Sequence, residues 1–178
     1  MPILQRVIHT SADFDYIQNL TFSDGAVEKA LDALRNGADI ITDTNMALSG
    51  INKKSLHALG GEAHCFISDP NVAAEAKRRG ITRAMVSMEK AARLSSNNLI
   101  FAIGNAPTAL IQLEQLIREH QLAPKLIIGV PVGFVNVVEA KELILQSGVP
   151  CIVARGNKGG SNIAAAICNA LLYQLYRA

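Results

Sequence analysis

Residues 98–116 read NLIFAIGNAPTALIQLEQL, and their pattern decides the fold. The apolar run Leu99-Ile100-Phe101-Ala102-Ile103 stops at Gly104-Asn105, and from Pro107-Thr108 onward apolar residues recur three and four apart. A short buried strand, a tight turn and an amphipathic helix account for that order. The first amides of such a helix lack intrahelical partners and sit at the positive end of its dipole, so an anion can bind at the turn. The pattern returns twice. LIIGVPVGF (126–134) leads into a periodic segment over 135–146, and CIVA (151–154) leads through RGNKGGSN (155–162) into 163–175. Three strand–glycine-turn–helix units in succession predict parallel strands whose turns line one edge, where ligands of open α/β sheets sit.

Upstream, residues 38–42 (ADIIT) predict the first strand of the main sheet, delivering Asp43-Thr44-Asn45-Met46 to that edge. Asp43 or Thr44 would cap a short helix running toward Gly50. Residues 63–67 (AHCFI) predict the next strand, Asp69 an N-cap before Pro70, and residues 72–79 and 82–94 two further helices. Val27, Ala30, Leu31 and Leu34 share one face of a helix over Ala26–Arg35, with Ser23 or Asp24 as its cap and Asn36-Gly37 as its stop. At the start, residues 2–9 (PILQRVIH) read as extended, and residues 10–13 would cap a helix running to about Leu20. The expectation is one domain over residues 1–178, a three-layer, doubly wound α/β fold of flavodoxin-like type with a mainly parallel, five-stranded sheet.

Composition agrees with a sheet covered on both faces: 49% of the 178 residues are hydrophobic, supplied by Ala, Ile, Leu and Val, and only 18% are charged. No apolar run approaches the ~20 residues that cross a bilayer, and MPILQRVIHTSAD lacks a signal-peptide pattern, so a cytoplasmic protein is expected. Cys65, Cys151 and Cys168 are odd in number and widely spaced, which fits neither a disulfide framework nor a zinc site. A net charge of +2 without a basic stripe gives no ground for nucleic acid and suits an anionic small molecule.

Four places could carry chemistry. His9 ends an apolar strand beside Thr10, Ser11 and Asp13, and histidine is the side chain best poised to move a proton near neutral pH. A histidine that merely hydrogen-bonds at a strand end explains the same residues. Asp43 and Thr44 stand where a substrate would be touched, and equally where a helix wants a cap. The turn Gly104-Asn105-Ala106-Pro107-Thr108 is either an anion site or only an efficient strand-to-helix connection. Residues 155–162 combine Arg155, Lys158, three glycines including Gly159, and Ser161 ahead of a helix, a set able to hold a carboxylate or phosphate. They lack the spacing of a nucleoside-triphosphate loop, and no dinucleotide fingerprint occurs in the chain. Arg6 and Arg83 are further cations for the same edge.

Taken together, several stretches resemble one family, the precorrin-8X methylmutases of cobalamin biosynthesis, also called cobalt-precorrin-8 methylmutases. They are Arg6-Val7-Ile8-His9, Phe22-Ser23-Asp24-Gly25-Ala26, and Ile41-Thr42-Asp43-Thr44-Asn45-Met46 with Gly50-Ile51. They continue through the 102–110 stretch AIGNAPTAL, then GVPVGFV (129–135) with Glu139-Ala140-Lys141, and RGNKGGS (155–161). The resemblance runs in order over nearly the whole chain. It implies an isomerase that moves a methyl group from C-11 to C-12 of precorrin-8X or cobalt-precorrin-8, giving hydrogenobyrinic or cobyrinic acid. Such a 1,5-sigmatropic shift needs no protein nucleophile, redox cofactor or metal ligand; a proton delivered to a ring nitrogen helps it, and His9 matches the family's catalytic histidine. The tetrapyrrole's acetates and propionates would be met by Arg6, Arg83, Arg155, Lys158 and the edge turns, with Asp43, Thr44, Gly104, Asn105, Thr108, Gly133, Gly159 and Ser161 as contacts. A homodimer is implied, with no cofactor, nucleic acid or membrane. Many members carry an upstream segment; with His9 so close to Met1, any contact from it would be missing here or supplied differently. Two other readings stand beside this one: a flavodoxin-like or Rossmann-like nucleotide or flavin binder, and a receiver-type module, which needs an acidic pair not found near residues 38–46.

Overall fold

A computed structural model describes residues 1–177. At its centre lies a six-stranded sheet built from β1 (Leu20–Phe22), β2 (Asp39–Thr42), β3 (Ala63–Cys65), β4 (Leu99–Ile103), β5 (Leu126–Gly129) and β6 (Cys151–Ala154). Their order across the sheet is β1-β6-β5-β4-β2-β3. The five parallel strands occupy the expected places, although β3 stops at Cys65. The sixth, β1, runs antiparallel to β6 with Leu20 opposite Ala154, and its three residues are too few to show an alternation in sequence.

Both faces of the sheet are covered, which is why β4 reads as an unbroken apolar run. Ile100 and Ala102 point into one core with α1 (Pro2–Ser11), α3 (Ala26–Arg35), α4 (Asn45–Gly50), α5 (Lys53–Ala58) and α10 (Ser161–Leu175). Leu99, Phe101 and Ile103 point into the other, with α7 (Arg83–Ala92), α8 (Pro107–Arg118) and α9 (Val137–Gln146). A short α2 (Tyr16–Asn19) precedes β1, and α6 (Pro70–Arg79) lies against α7 through Val72, Ala76 and Val86.

The amino-terminal expectation is corrected. Residues 2–9 are not extended but form most of α1, because Ile3, Leu4, Val7 and Ile8 fall on one helical face and pack on α10. Pro2 suits the first helical turn. Residues 10–13 end this helix instead of capping a long second one: Ala12 adopts φ 55° and its amide donates to Ile8 O. Two capping assignments also change. Ser23 Oγ accepts the Cys151 amide, extending the β1–β6 pairing, while α3 starts after Gly25. The Asp69 side chain does not cap α6 but pairs with Lys90 at 2.5 Å.

Candidate active site at the carboxyl edge of the sheet

The strand order reverses between β2 and β4, and the loops leaving their carboxyl ends meet there. Asp43, directly after β2, is 1% exposed. Its carboxylate accepts the amides of Gly104 at 2.9 Å, Asn105 at 2.8 Å and Ala106 at 2.6 Å. The turn after β4 is therefore already filled, by the protein's own anion, and the Gly104 and Asn105 amides are not free for a substrate carboxylate. Burial pushes the Asp43 carboxyl above its ordinary range, and the three amides act against that. Thr44 caps α4 by accepting the Ala47 amide, and its hydroxyl lies 2.7 Å from Ser161 Oγ at the start of α10. Gly104 faces the same place: a Cβ there would stand 2.6 Å from Ser161 Cα and 2.8 Å from Gly160 O. Asp43, Thr44, Gly104, Asn105 and Ser161 thus form one tightly fitted junction at the switch point.

The loop at residues 155–160 stands beside this junction. Gly160 donates to Val130 O at 2.9 Å, and a side chain at Gly159 would run into Val130 O. Asn157 and Gly133 exchange two bonds: Gly133 N donates to Asn157 O at 3.0 Å, and Asn157 Nδ2 donates to Gly133 O at 2.7 Å. Arg155 and Lys158 are both exposed. The Arg155 guanidinium lies 3.5 Å from Glu142, while Lys158 bridges Asp13 at 2.6 Å and Asp15 at 2.5 Å. These two carboxylates push the Lys158 ammonium above its ordinary range and keep it charged.

Asp13 and Asp15 follow directly on α1, so the Lys158 bridge ties the histidine-bearing helix to this loop. His9 is exposed in the last turn of α1, at a helix end and not a strand end. Arg6 behaves differently: its guanidinium sits 4.7 Å from the Tyr173 ring. Tyr173 is twelve residues beyond Ser161, or about 18 Å along α10 at 1.5 Å per residue, so Arg6 belongs to the far part of that helix and not to the edge. Arg83 is exposed at the first position of α7. The preceding Thr82 hydroxyl meets Thr108 Oγ1 at 2.9 Å, which sets the start of α7 beside that of α8. Among the described residues no group of three His, Cys, Asp or Glu side chains is arranged to hold a metal ion.

Two features escaped the sequence reading. Lys141 is completely buried and donates from Nζ to Gly156 O at 2.6 Å and Lys158 O at 2.9 Å. The available signal was a lysine on the apolar stripe Val137, Ala140, Ile144 of α9. The second is a set of exposed apolar side chains around the edge: Phe14, Met46, Val132, Phe134 and Val135.

Comparison with known proteins gives a consistent answer. The family described as CbiC, precorrin-8X methylmutase, matches residues 1–174. The cobalt-precorrin-8 methylmutase of Salmonella typhimurium is 51% identical over 176 residues, spanning 99% of this chain and 82% of that protein. The cobalt-precorrin-8 methylmutase of Leptospira interrogans is 45% identical over 177 residues, spanning 96% and 80%. A crystal structure of precorrin-8x methyl mutase from Thermus thermophilus superposes with a TM-score of 0.87 at 38% identity, covering 97% of this chain and 84% of that one. By sequence over nearly its whole length and by fold, the chain belongs to the precorrin-8X methylmutase family.

Proposed function

We propose that this protein catalyses methyl migration between neighbouring ring carbons of precorrin-8X or its cobalt form, and that His9 is the proton donor. The observation that carries the reading is the Lys158 bridge to Asp13 and Asp15, which keeps a cationic, glycine-rich loop and the histidine-bearing end of α1 within reach of one ligand. The family supplies the reaction, and the two relatives named above, both cobalt-precorrin-8 methylmutases, favour the cobalt-containing substrate.

In this reading the substrate lies across the carboxyl edge. Its carboxylates meet Arg155, Lys158 and Arg83 and the start of α10, and its apolar ring faces meet side chains such as Phe134. A carboxylate binding at Lys158 competes with Asp13 and Asp15. Protonation of a ring nitrogen by the His9 imidazolium makes the conjugated system electron-poor, the methyl group migrates, and the proton is redistributed in the product. Asp43, Gly104 and Asn105 serve as scaffold beneath this surface, since their polar groups bind one another. A single domain of flavodoxin-like type belongs to the same reading, supported by the order of the five parallel strands, 2-1-3-4-5 when numbered along the chain. So do a homodimer, to be checked by light scattering, and a cytoplasmic location. No helix among the described residues is long and apolar enough to cross a membrane.

The test is conversion of precorrin-8X and of cobalt-precorrin-8, followed by visible absorbance, with wild type and His9→Ala. His9 is exposed, so the variant folds normally and still binds corrinoid, while turnover falls by roughly 10²–10⁴-fold. Near wild-type turnover in His9→Ala would remove the histidine from the mechanism; joint loss of binding and rate would make it a contact residue.

A further inference from the structure

We propose that Lys141 is a positioning residue of the reaction: from the core face of α9 its ammonium holds two inward-turned carbonyls of the 155–160 loop, and so sets Arg155 and Lys158 for substrate. This rests on reading that loop as the element that binds substrate carboxylates.

Lys141 occupies a place where an apolar residue would serve packing better. Its helical neighbours on that face, Val137, Ala140 and Ile144, are all buried, and Lys141 itself has 0% exposure. A buried ammonium is costly unless its hydrogens are satisfied. Here the partners are not carboxylates but the backbone oxygens of Gly156 and Lys158. Burial lowers the amine to about 8. A methionine would fill the same space without that cost, but could not donate to either carbonyl.

The two bonds fall on alternate residues of the loop. With the carbonyls of residues 156 and 158 drawn toward α9, the exposed side chains of Arg155 and Lys158 stand on the solvent side. Gly156, at φ 78°, and Gly160, at φ 138°, allow the backbone to reverse in this way. Asn157 and Gly160 fasten the same loop to Gly133 and Val130. A segment with three glycines in six residues would otherwise sample many conformations, and fixing it before binding lowers the entropic cost of holding an anionic ligand. Among the described residues, Lys141 is therefore the one side chain that donates to two backbone carbonyls of the loop.

The experiment compares Lys141→Met, Lys141→Gln and wild type by thermal unfolding, hydrogen exchange and steady-state kinetics. Lys141→Met is expected to melt within about 5 °C of wild type, because loss of the carbonyl bonds is offset by removal of a buried charge. Exchange should quicken in peptides covering residues 155–160 and stay unchanged in β4 and β5. KM should rise about tenfold while kcat changes by less than about threefold. Lys141→Gln keeps two N–H donors on a shorter side chain, and its KM should lie between the other two. If Lys141→Met fails to fold, Lys141→Gln decides the matter: a raised KM with local exchange supports positioning, and a wild-type KM overturns it. Quickened exchange throughout the sheet would also overturn the proposal, making Lys141 a structural residue only. Arg155→Ala separates the two levels of argument. A raised KM there with a wild-type KM in Lys141→Met sinks the Lys141 proposal alone, whereas wild-type KM in both sinks the reading of the loop as well.

Discussion

Replacing Asp43 with asparagine tests the junction on which the edge is built. The substitution preserves shape and removes one of two acceptor oxygens. Oδ2 takes the amides of Asn105 and Ala106, and Oδ1 takes that of Gly104. An asparagine can turn its oxygen to the first pair, but its NH₂ then faces the Gly104 amide, donor against donor. One charge-assisted bond is lost, at about 1.5–3 kcal/mol, and a buried amide is left unsatisfied, at about 1–3 kcal/mol. The sum is about 2.5–6 kcal/mol, or a fall in Tm of roughly 5–20 °C for a chain of this length. Because Gly104 packs on the start of α10, the damage should reach activity too. Thermal unfolding by circular dichroism at neutral pH is the assay. A Tm within about 2 °C of wild type would show that the three amides do not depend on a second acceptor oxygen, and would refute the account of the filled turn.

Gly104→Ala should cost about 3 kcal/mol or prevent folding, because its new methyl meets backbone atoms of residues 160 and 161 that cannot rotate away; an unchanged urea midpoint would count against that packing. Lys141 gives a pH signature. Its amine titrates at about 8 in the fold against 10.5 in the unfolded chain, so between those values the unfolded state holds the extra proton and stability contributed by this site rises with pH. The stability difference, wild type minus Lys141→Met, should therefore grow by up to about 3 kcal/mol from pH 8 to 10.5. The difference is the quantity to measure, because the buried Cys168 thiol, raised to about 12, pulls the other way above pH 9 in both proteins. A flat difference across that range would mean that burial does not depress the lysine.

The central strand, its turn and its helix were legible because one residue pattern specified each: a run buried on both faces, a glycine, then spacing of three and four. At the amino terminus, residues 2–9 read as extended in isolation, although Ile3, Leu4, Val7 and Ile8 already carry a helical period. There, packing on α10 outweighs local propensity. β1 was not legible, since three residues held by an antiparallel neighbour some 130 positions away leave no local trace. At the proposed site, the sequence names candidate residues but not the partners that the fold gives them. Asp43 and the Gly104 turn were both chosen as ligand contacts, yet sixty-one residues apart they satisfy each other. Lys158 was chosen as a free cation and is bridged by two carboxylates from the far end of the chain. Charge complementarity between distant segments is set by topology, which no spacing rule along one segment reports.

That difference changes where an anionic ligand can lie. In a doubly wound sheet the crevice at the switch point is the usual ligand site, and the turn after β4 would be its deepest anion cradle. Here Asp43 fills that cradle, and Thr44 and Ser161 close the gap beside it. The remaining candidate groups stand around the crevice and not within it. Arg83 begins a helix of the layer formed by α7, α8 and α9, whereas His9 and Lys158 lie with the layer formed by α1 and α10. Exposed Met46 stands on the first turn of α4, and exposed Phe134 and Val135 on the loop before α9. On the reading proposed above, a broad, flat, apolar molecule with carboxylates on its rim would lie over the sheet edge and meet these groups, with the filled turn beneath it. Such a site would select for the size of the ligand as well as for its charge, and the tetrapyrrole of the proposed reaction has both.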